Sequence, residues 1–132
     1  MTEAQTALSR RAVACKGWRW MPGMLDDDGC TVCSASDDGY LLLAGSEDSV
    51  VGWWPVAERL PDLSDPATLG CLLALVREAW GCDSLSPLYN GAYGTDSWII
   101  VGSWPACIPV GRNATTEAEA LVLALEAAPT SG

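Results

Sequence analysis

The sequence contains no histidine and no phenylalanine, and it has 7 lysines and arginines against 17 aspartates and glutamates. Histidine is the commonest general base and a frequent metal ligand, so its absence removes the usual means of catalysis and metal binding. The net charge of −10 repels nucleic acid and attracts basic protein surfaces. The composition therefore predicts a binding protein that is not an enzyme and does not contact nucleic acid directly.

The sequence also lacks a long apolar run and a targeting segment. Its longest uncharged stretch, Ser97–Gly111, is interrupted by Pro105 and Pro109, and it is shorter than the roughly 20 apolar residues of a membrane-spanning helix. Residues 1–11 are polar, unlike the apolar centre of a signal peptide. We therefore expect a cytoplasmic protein without a membrane partner, in which the six cysteines are mostly reduced.

The acidic residues that are present are concentrated in one part of the chain. Residues 20–65 contain ten carboxylates and one arginine, Arg59, which gives this segment a net charge of −9. Residues 1–19 have a net charge of +3. Most of the carboxylates lie in sequences typical of turns, namely Asp26-Asp27-Asp28-Gly29, Asp37-Asp38-Gly39 and the polar segment Gly45–Ser49 with Glu47 and Asp48. Turns are exposed, so we expect an acidic surface.

Capping signals predict three helices. A threonine precedes a glutamine or glutamate by three residues at Thr2 and again at Thr116, as in a capping box. Asp65 and Pro66 begin the middle helix, and Gly81 ends it.

Short apolar segments between turn sequences predict strands. Four precede the middle helix, at Gly17–Met21, Cys30–Ala35, Tyr40–Ala44 and Val50–Val56. The others follow it, at Ser86–Asn90, Ser97–Trp104 and, as a short edge strand, Cys107–Val110. We predict one α+β domain over residues 1–132, in which an antiparallel sheet (a β-meander plus a hairpin) has helices on one face, in the order α-β-β-β-β-α-β-β-α.

Cys30-Thr31-Val32-Cys33 is the recognisable site motif of the sequence. A C-x-x-C pair can contribute to a Cys₄ zinc site or act as a redox pair. In a strand, however, residues i and i+3 point to opposite faces, and no second C-x-x-C follows. We therefore expect Cys30 and Cys33 to be structural, with no cofactor and no metal; a small metal or redox protein that uses them is an alternative.

Trp53 and Trp54 are adjacent in a predicted strand, so they point to opposite faces and one of them is expected to face outward. An exposed tryptophan beside acidic turns is a suitable anchor for a protein partner. We therefore predict a partner-binding site that combines the carboxylates of the turns with one of these tryptophans: Asp26, Asp27, Asp28, Asp37, Asp38, Glu47, Asp48 and Trp53 or Trp54.

Three segments of the chain resemble a group of small proteins encoded by bacteriophages and prophages. They are Gly17–Leu25 (GWRWMPGML), Leu60–Gly81 (LPDLSDPATLGCLLALVREAWG) and Thr116–Ala127 (TEAEALVLALEA), and together they cover roughly a third of the sequence. The group has no assigned activity. The resemblance implies a phage origin, and hence the cytoplasm of a bacterial host, without implying a mechanism.

Two functional hypotheses follow. In the first, the protein inhibits a host defence protein in the manner of anti-CRISPR proteins, and its rows of carboxylates imitate the phosphates of nucleic acid on a basic surface. Duplex DNA carries one charge per about 1.7 Å, a spacing that acidic turns can approach. In the second, it is a phage structural or assembly protein, a homodimer or larger homo-oligomer whose sheet face is buried against a second copy. An acidic surface that serves only solubility is the simplest reading of the charge.

Overall fold

The computed structural model describes residues 2–45, 52–90, 97–101, 110–114 and 116–128. Within these residues the helices are α1 (Glu3–Ala14), α2 (Pro66–Trp80) and α3 (Glu117–Ala127). The strands are β1 (Thr31–Ala35), β2 (Tyr40–Ala44), β3 (Gly52–Pro55), β4 (Ser86–Asn90), β5 (Ser97–Val101) and β6 (Val110–Ala114). They form two antiparallel sheets, in the orders β1-β2-β3 and β4-β5-β6. The predicted α+β class is confirmed, and so is the predicted alternation of three helices with groups of antiparallel strands.

The prediction of a strand at residues 17–21 is wrong, since these residues form no strand. The chain reaches β1 only after the turn at Pro22-Gly23, where the Gly23 N–H donates to the Val32 carbonyl oxygen (2.8 Å) and the Val32 N–H donates to the Met24 carbonyl oxygen (2.8 Å). Trp20 is buried, but burial of a side chain does not define a strand, which requires a ladder of backbone hydrogen bonds with a neighbouring strand. After α2, β6 begins at Val110, where the predicted edge strand ends; residues 102–109 lie outside the described part of the chain.

The chain divides into two compact units. The first contains Met1–Val13 and Arg19–Cys71, and the second contains Ala14–Trp18 and Leu72–Gly132. The prediction of a single domain over residues 1–132 stays a prediction.

The first unit contains the sheet β1-β2-β3 and a core of apolar side chains from strands, loops and helix. Buried members are Ala12, Trp20, Met24, Val32, Leu41, Leu43 and Leu63. The predicted capping box of α1 is confirmed, because the Gln5 N–H donates to Thr2 Oγ1 (3.1 Å) and the Thr2 N–H donates to Gln5 Oε1 (2.9 Å). Further along α1, the buried Ser9 hydroxyl donates to the carbonyl oxygen of Pro61 (2.7 Å) and fixes the segment that precedes α2.

In the second unit, α3 packs on the sheet β4-β5-β6. Its predicted N-cap is confirmed, since Thr116 Oγ1 accepts from the Glu119 N–H (3.1 Å). The apolar side of α3 is buried through Leu121, Val122 and Leu125. The indole N–H of Trp80 donates to the carbonyl oxygen of Ala124 (2.8 Å), which satisfies the polar atom of a half-buried tryptophan.

Candidate protein-binding surfaces

Asp26, the first residue of the predicted acidic site, is completely buried. Its Oδ1 accepts hydrogen bonds from the backbone N–H groups of Asp28 (3.0 Å) and Cys30 (2.7 Å). An aspartate that accepts from the backbone two residues later closes an Asx turn. The Asp26 carboxylate therefore shapes the turn from inside, and it cannot itself contact a partner.

Arg59, the one cation between residues 20 and 65, is enclosed by this turn. Its Nη1 lies 3.4 Å from Asp26 Oδ2 and forms a close ion pair with Asp28. The guanidinium carbon lies 4.9 Å from the centroid of the Trp54 ring, within the range of a cation–π contact. The two carboxylates neutralise the charge of Arg59, and its side chain is only 11% exposed. Arg59 therefore offers little charge to a partner.

The acidic turn is also held by backbone hydrogen bonds to neighbouring segments. The Asp27 N–H donates to the carbonyl oxygen of Leu60 (2.8 Å). The Leu25 N–H donates to Thr68 Oγ1 (2.8 Å), and this hydroxyl donates to Asp65 Oδ2 (3.0 Å), the acceptor that caps α2. The turn is therefore fixed to the start of a helix. Because the turn is already ordered, binding of a partner there would lose little conformational entropy.

Trp53 and Trp54 lie on opposite faces of the first sheet. Trp54 pairs with Leu41, which is buried, and Trp53 pairs with Leu42 on the other face. Both indoles are nevertheless accessible, with Trp53 53% exposed and Trp54 45% exposed. The predicted single site is therefore divided between two surfaces.

We call the first the acidic-turn surface; it consists of Asp27, Asp28, Arg59 and Trp54. The second is the aromatic face, which consists of Tyr40, Leu42 and Trp53 on the other side of the sheet. Tyr40 is 45% exposed and pairs with Pro55, while Trp53 pairs with Leu42. These pairings place Tyr40 and Trp53 on one face at diagonal positions.

A three-residue loop places two exposed carboxylates beside the aromatic face. The Ser36 N–H donates to the Tyr40 carbonyl oxygen (2.8 Å), so Asp37, Asp38 and Gly39 form the loop between β1 and β2. Gly39 has a φ of +89°, the left-handed conformation that such loops require at their third residue. Asp37 and Asp38 are exposed in this loop, and Gly39 connects them to Tyr40. Glu47 and Asp48 lie outside the described residues.

The sequence analysis missed the contributions of Tyr40 and Arg59. Arg59 is the one arginine of an acidic segment. Its position in the sequence could therefore have predicted an ion pair with one of the aspartates. Tyr40 begins the run Tyr40-Leu41-Leu42-Leu43, in which every residue is apolar. Such a run lacks the alternation that would identify its exposed face.

The two cysteines of the C-x-x-C motif lie at unlike positions. Burial, followed by the nearby Asp26 carboxylate, raises the pKa of the Cys30 thiol, which disfavours the thiolate that metal binding and disulfide exchange need. Cys33 is exposed at an irregularity of β1, between Val32 and Ser34. In the described part of the chain, no three side chains of the metal-binding types come together as a possible metal site.

Comparison with known proteins finds no family model, no curated protein and no solved structure that matches this chain. Among the described residues, no helix is both long enough and apolar enough to span a membrane.

Proposed function

We propose that this protein is a phage-encoded inhibitor that binds a basic, nucleic-acid-binding defence protein in the cytoplasm of its bacterial host. The observation that carries the proposal is the pairing of exposed carboxylates with exposed aromatic rings on both surfaces of the first sheet. The three sequence segments similar to phage and prophage proteins support the origin.

The chemistry of the two surfaces fits a basic partner. Lysine and arginine side chains that bind phosphates form charge-assisted hydrogen bonds with carboxylates as well. Asp27 and Asp28 are exposed on one surface, and Asp37 and Asp38 on the other. Trp54 contacts Arg59, which pairs with Asp28, and Tyr40 follows the loop of Asp37 and Asp38. Tryptophan and tyrosine are common anchors at the centres of protein interfaces. Binding of this kind weakens as salt screens the charges.

Self-assembly is the second candidate, and the aromatic face is the observation that favours it. Tyr40 and Trp53 are large apolar side chains exposed together, as in interfaces between identical subunits. A second copy, however, brings another net charge of −10, and the repulsion between like charges opposes the contact. The acidic carboxylates therefore favour a basic partner over a copy of this chain.

The proposal is tested by capture of the tagged protein's partners from lysate of its bacterial host, at low and high salt, with identification by mass spectrometry. We expect a basic nucleic-acid-binding protein that is retained at low salt and lost at high salt. Gel-shift assays then measure whether added protein displaces nucleic acid from the captured partner.

Matched charge variants sharpen this test. Asp37→Lys with Asp38→Lys should abolish capture and displacement without changing the melting temperature, because both side chains are exposed. Glu3→Lys with Asp83→Lys makes the same change in net charge at other exposed positions and should preserve both activities. Capture that survives the first pair of changes contradicts the role of that turn. Recovery of the bait alone, with a dimeric mass by light scattering, would favour self-assembly.

A further inference from the structure

We propose that the aromatic face binds an extended, proline-containing segment of the partner, in which arginine or lysine residues accompany the prolines. This inference rests on the proposed function, because it names the part of a basic partner that the first sheet recognises.

The positions of Tyr40 and Trp53 on the strands suit a polyproline II helix. Tyr40 and Trp53 occupy diagonal positions on neighbouring antiparallel strands, where residues are about 7–8 Å apart. A polyproline II helix rises about 3.1 Å per residue, so two residues extend roughly 6 Å. The length of a dipeptide that contains proline is therefore comparable to the separation of the two residues. Tyr40 and Trp53 are both about half exposed, so their rings are accessible to a ligand of the kind that docks against aromatic side chains.

The edges of the sheet make the addition of a partner strand unfavourable. β3 is an edge strand, and the Val56 N–H donates to the Gly39 carbonyl oxygen (2.9 Å). Backbone N–H groups of an antiparallel strand point alternately towards and away from the neighbouring strand. The backbone N–H of Trp54, two residues before Val56, therefore points towards β2, whereas the backbone of Trp53 and Pro55 faces the free edge. Pro55 has no N–H, so Trp53 offers the one outward donor among Gly52–Pro55.

The opposite edge of this sheet is partly occupied, at Val32. The backbone of Val32 in β1 exchanges hydrogen bonds with Gly23 and Met24. Since β3 has one outward donor and Val32 of β1 is already bonded, the side chains of the open face are better suited than the edges to recognise a ligand. A polyproline II ligand suits such a face, because it binds through side-chain packing and does not need a continuous backbone ladder.

The charge beside the rings selects a basic ligand. Asp37 and Asp38 are exposed in the loop that leads directly into Tyr40, and no cation of the described residues forms an ion pair with either of them. An arginine next to the prolines can form charge-assisted hydrogen bonds with these carboxylates. An acidic segment, or a second copy of this chain, would be repelled instead.

The inference is tested by fluorescence anisotropy with a fluorescein-labelled peptide that combines a proline run with arginines. A peptide of equal charge, in which alanine replaces every proline, is the comparison. We expect the alanine peptide to bind at least about tenfold more weakly, and Trp53→Ala to weaken the proline peptide by a similar factor. Leu88→Ala, at an exposed apolar side chain of β4 that belongs to neither surface, should leave binding unchanged.

A second measurement uses the unaltered protein and does not depend on the folding of a variant. In ¹H–¹⁵N spectra, the proline peptide should shift the indole signal of Trp53 and leave that of Trp54 in place. A shift of Trp54 alone, or of neither indole at saturating peptide, overturns the inference.

The outcomes separate this inference from the proposed function. Equal binding of the two peptides, sensitive to salt and weakened by Asp37→Asn with Asp38→Asn, would overturn the role of proline while supporting a basic partner. Binding of neither peptide, together with salt-sensitive capture of a basic protein from lysate, would also overturn this inference alone. Binding of neither peptide and capture of no basic protein would overturn both.

Discussion

Replacement of the buried Asp26 by alanine should be among the most destabilising changes in the acidic segment. The substitution removes the acceptor of the Asp28 and Cys30 backbone N–H groups, and it leaves Arg59 with Asp28 as its remaining ion-pair partner. It therefore affects the turn, the strand that follows it and the position of the guanidinium together.

The magnitude follows from the contacts that are lost. Each hydrogen bond to a charged group contributes about 1.5–3 kcal/mol, and removal of one partner from a buried ion pair costs about 3–5 kcal/mol. Because the side chain of Asp28 is 66% exposed and still pairs with Arg59, we expect the lower end, about 3 kcal/mol lost from the free energy of unfolding. Asp26→Asn keeps the oxygen that accepts both N–H groups but loses the charge and the second oxygen that face Arg59, so we expect a smaller loss, about 2 kcal/mol.

Urea denaturation followed by circular dichroism measures both variants against the unaltered protein, with equal slopes as the condition for comparison. Asp27→Ala is the matched control, since Asp27 is exposed and its carboxylate accepts one long hydrogen bond, 3.4 Å from the Leu60 nitrogen. Its effect should stay within about 0.5 kcal/mol. If Asp26→Ala is no more damaging than this control, the carboxylate does not hold the turn. If Asp26→Asn is as damaging as Asp26→Ala, the charge and not the acceptor is what matters.

Two further predictions concern the second unit. Cys82 should react with iodoacetamide faster than Cys30 at neutral pH, because a hydrogen bond from Ser84 lowers the pKa of the Cys82 thiol while burial raises the pKa of Cys30; Ser84→Ala should slow the labelling of Cys82 in peptide maps, and equal rates at both cysteines would contradict this order. Thr116→Ala removes the side-chain acceptor of the α3 cap and should lower the free energy of unfolding by about 1 kcal/mol, whereas Thr116→Ser should retain most of it.

The elements that the sequence predicted well depend on interactions between residues close in the chain. Thr2 and Gln5 satisfy each other's backbone groups within one helical turn, and Asp65 accepts from the Thr68 N–H in the same way. Capping of this kind follows from the local order of residue types. It could therefore be predicted without knowledge of the tertiary structure.

The division of the candidate site between two surfaces could not be predicted in the same way. Whether Trp53 or Trp54 shares a face with the core depends on the pairing of β3 with β2, and three consecutive leucines in β2 permit either face. The burial of Asp26 depends on Arg59 and on backbone groups that the fold brings together. Both features are set by contacts distant in sequence, which composition and spacing do not report.

The arrangement of charge and aromatic rings also bears on the simplest reading of the acidic surface, which is solubility. Solubility requires a net charge but no particular placement of it, and it is reduced by exposed apolar side chains. Here Trp53 and Tyr40 are exposed on the open face of the first sheet, with the carboxylates of Asp37 and Asp38 in the adjoining loop. The exposed rings work against solubility, and together with the nearby carboxylates they suit a basic, partly apolar ligand. The placement of the charge therefore supports binding more strongly than its amount does.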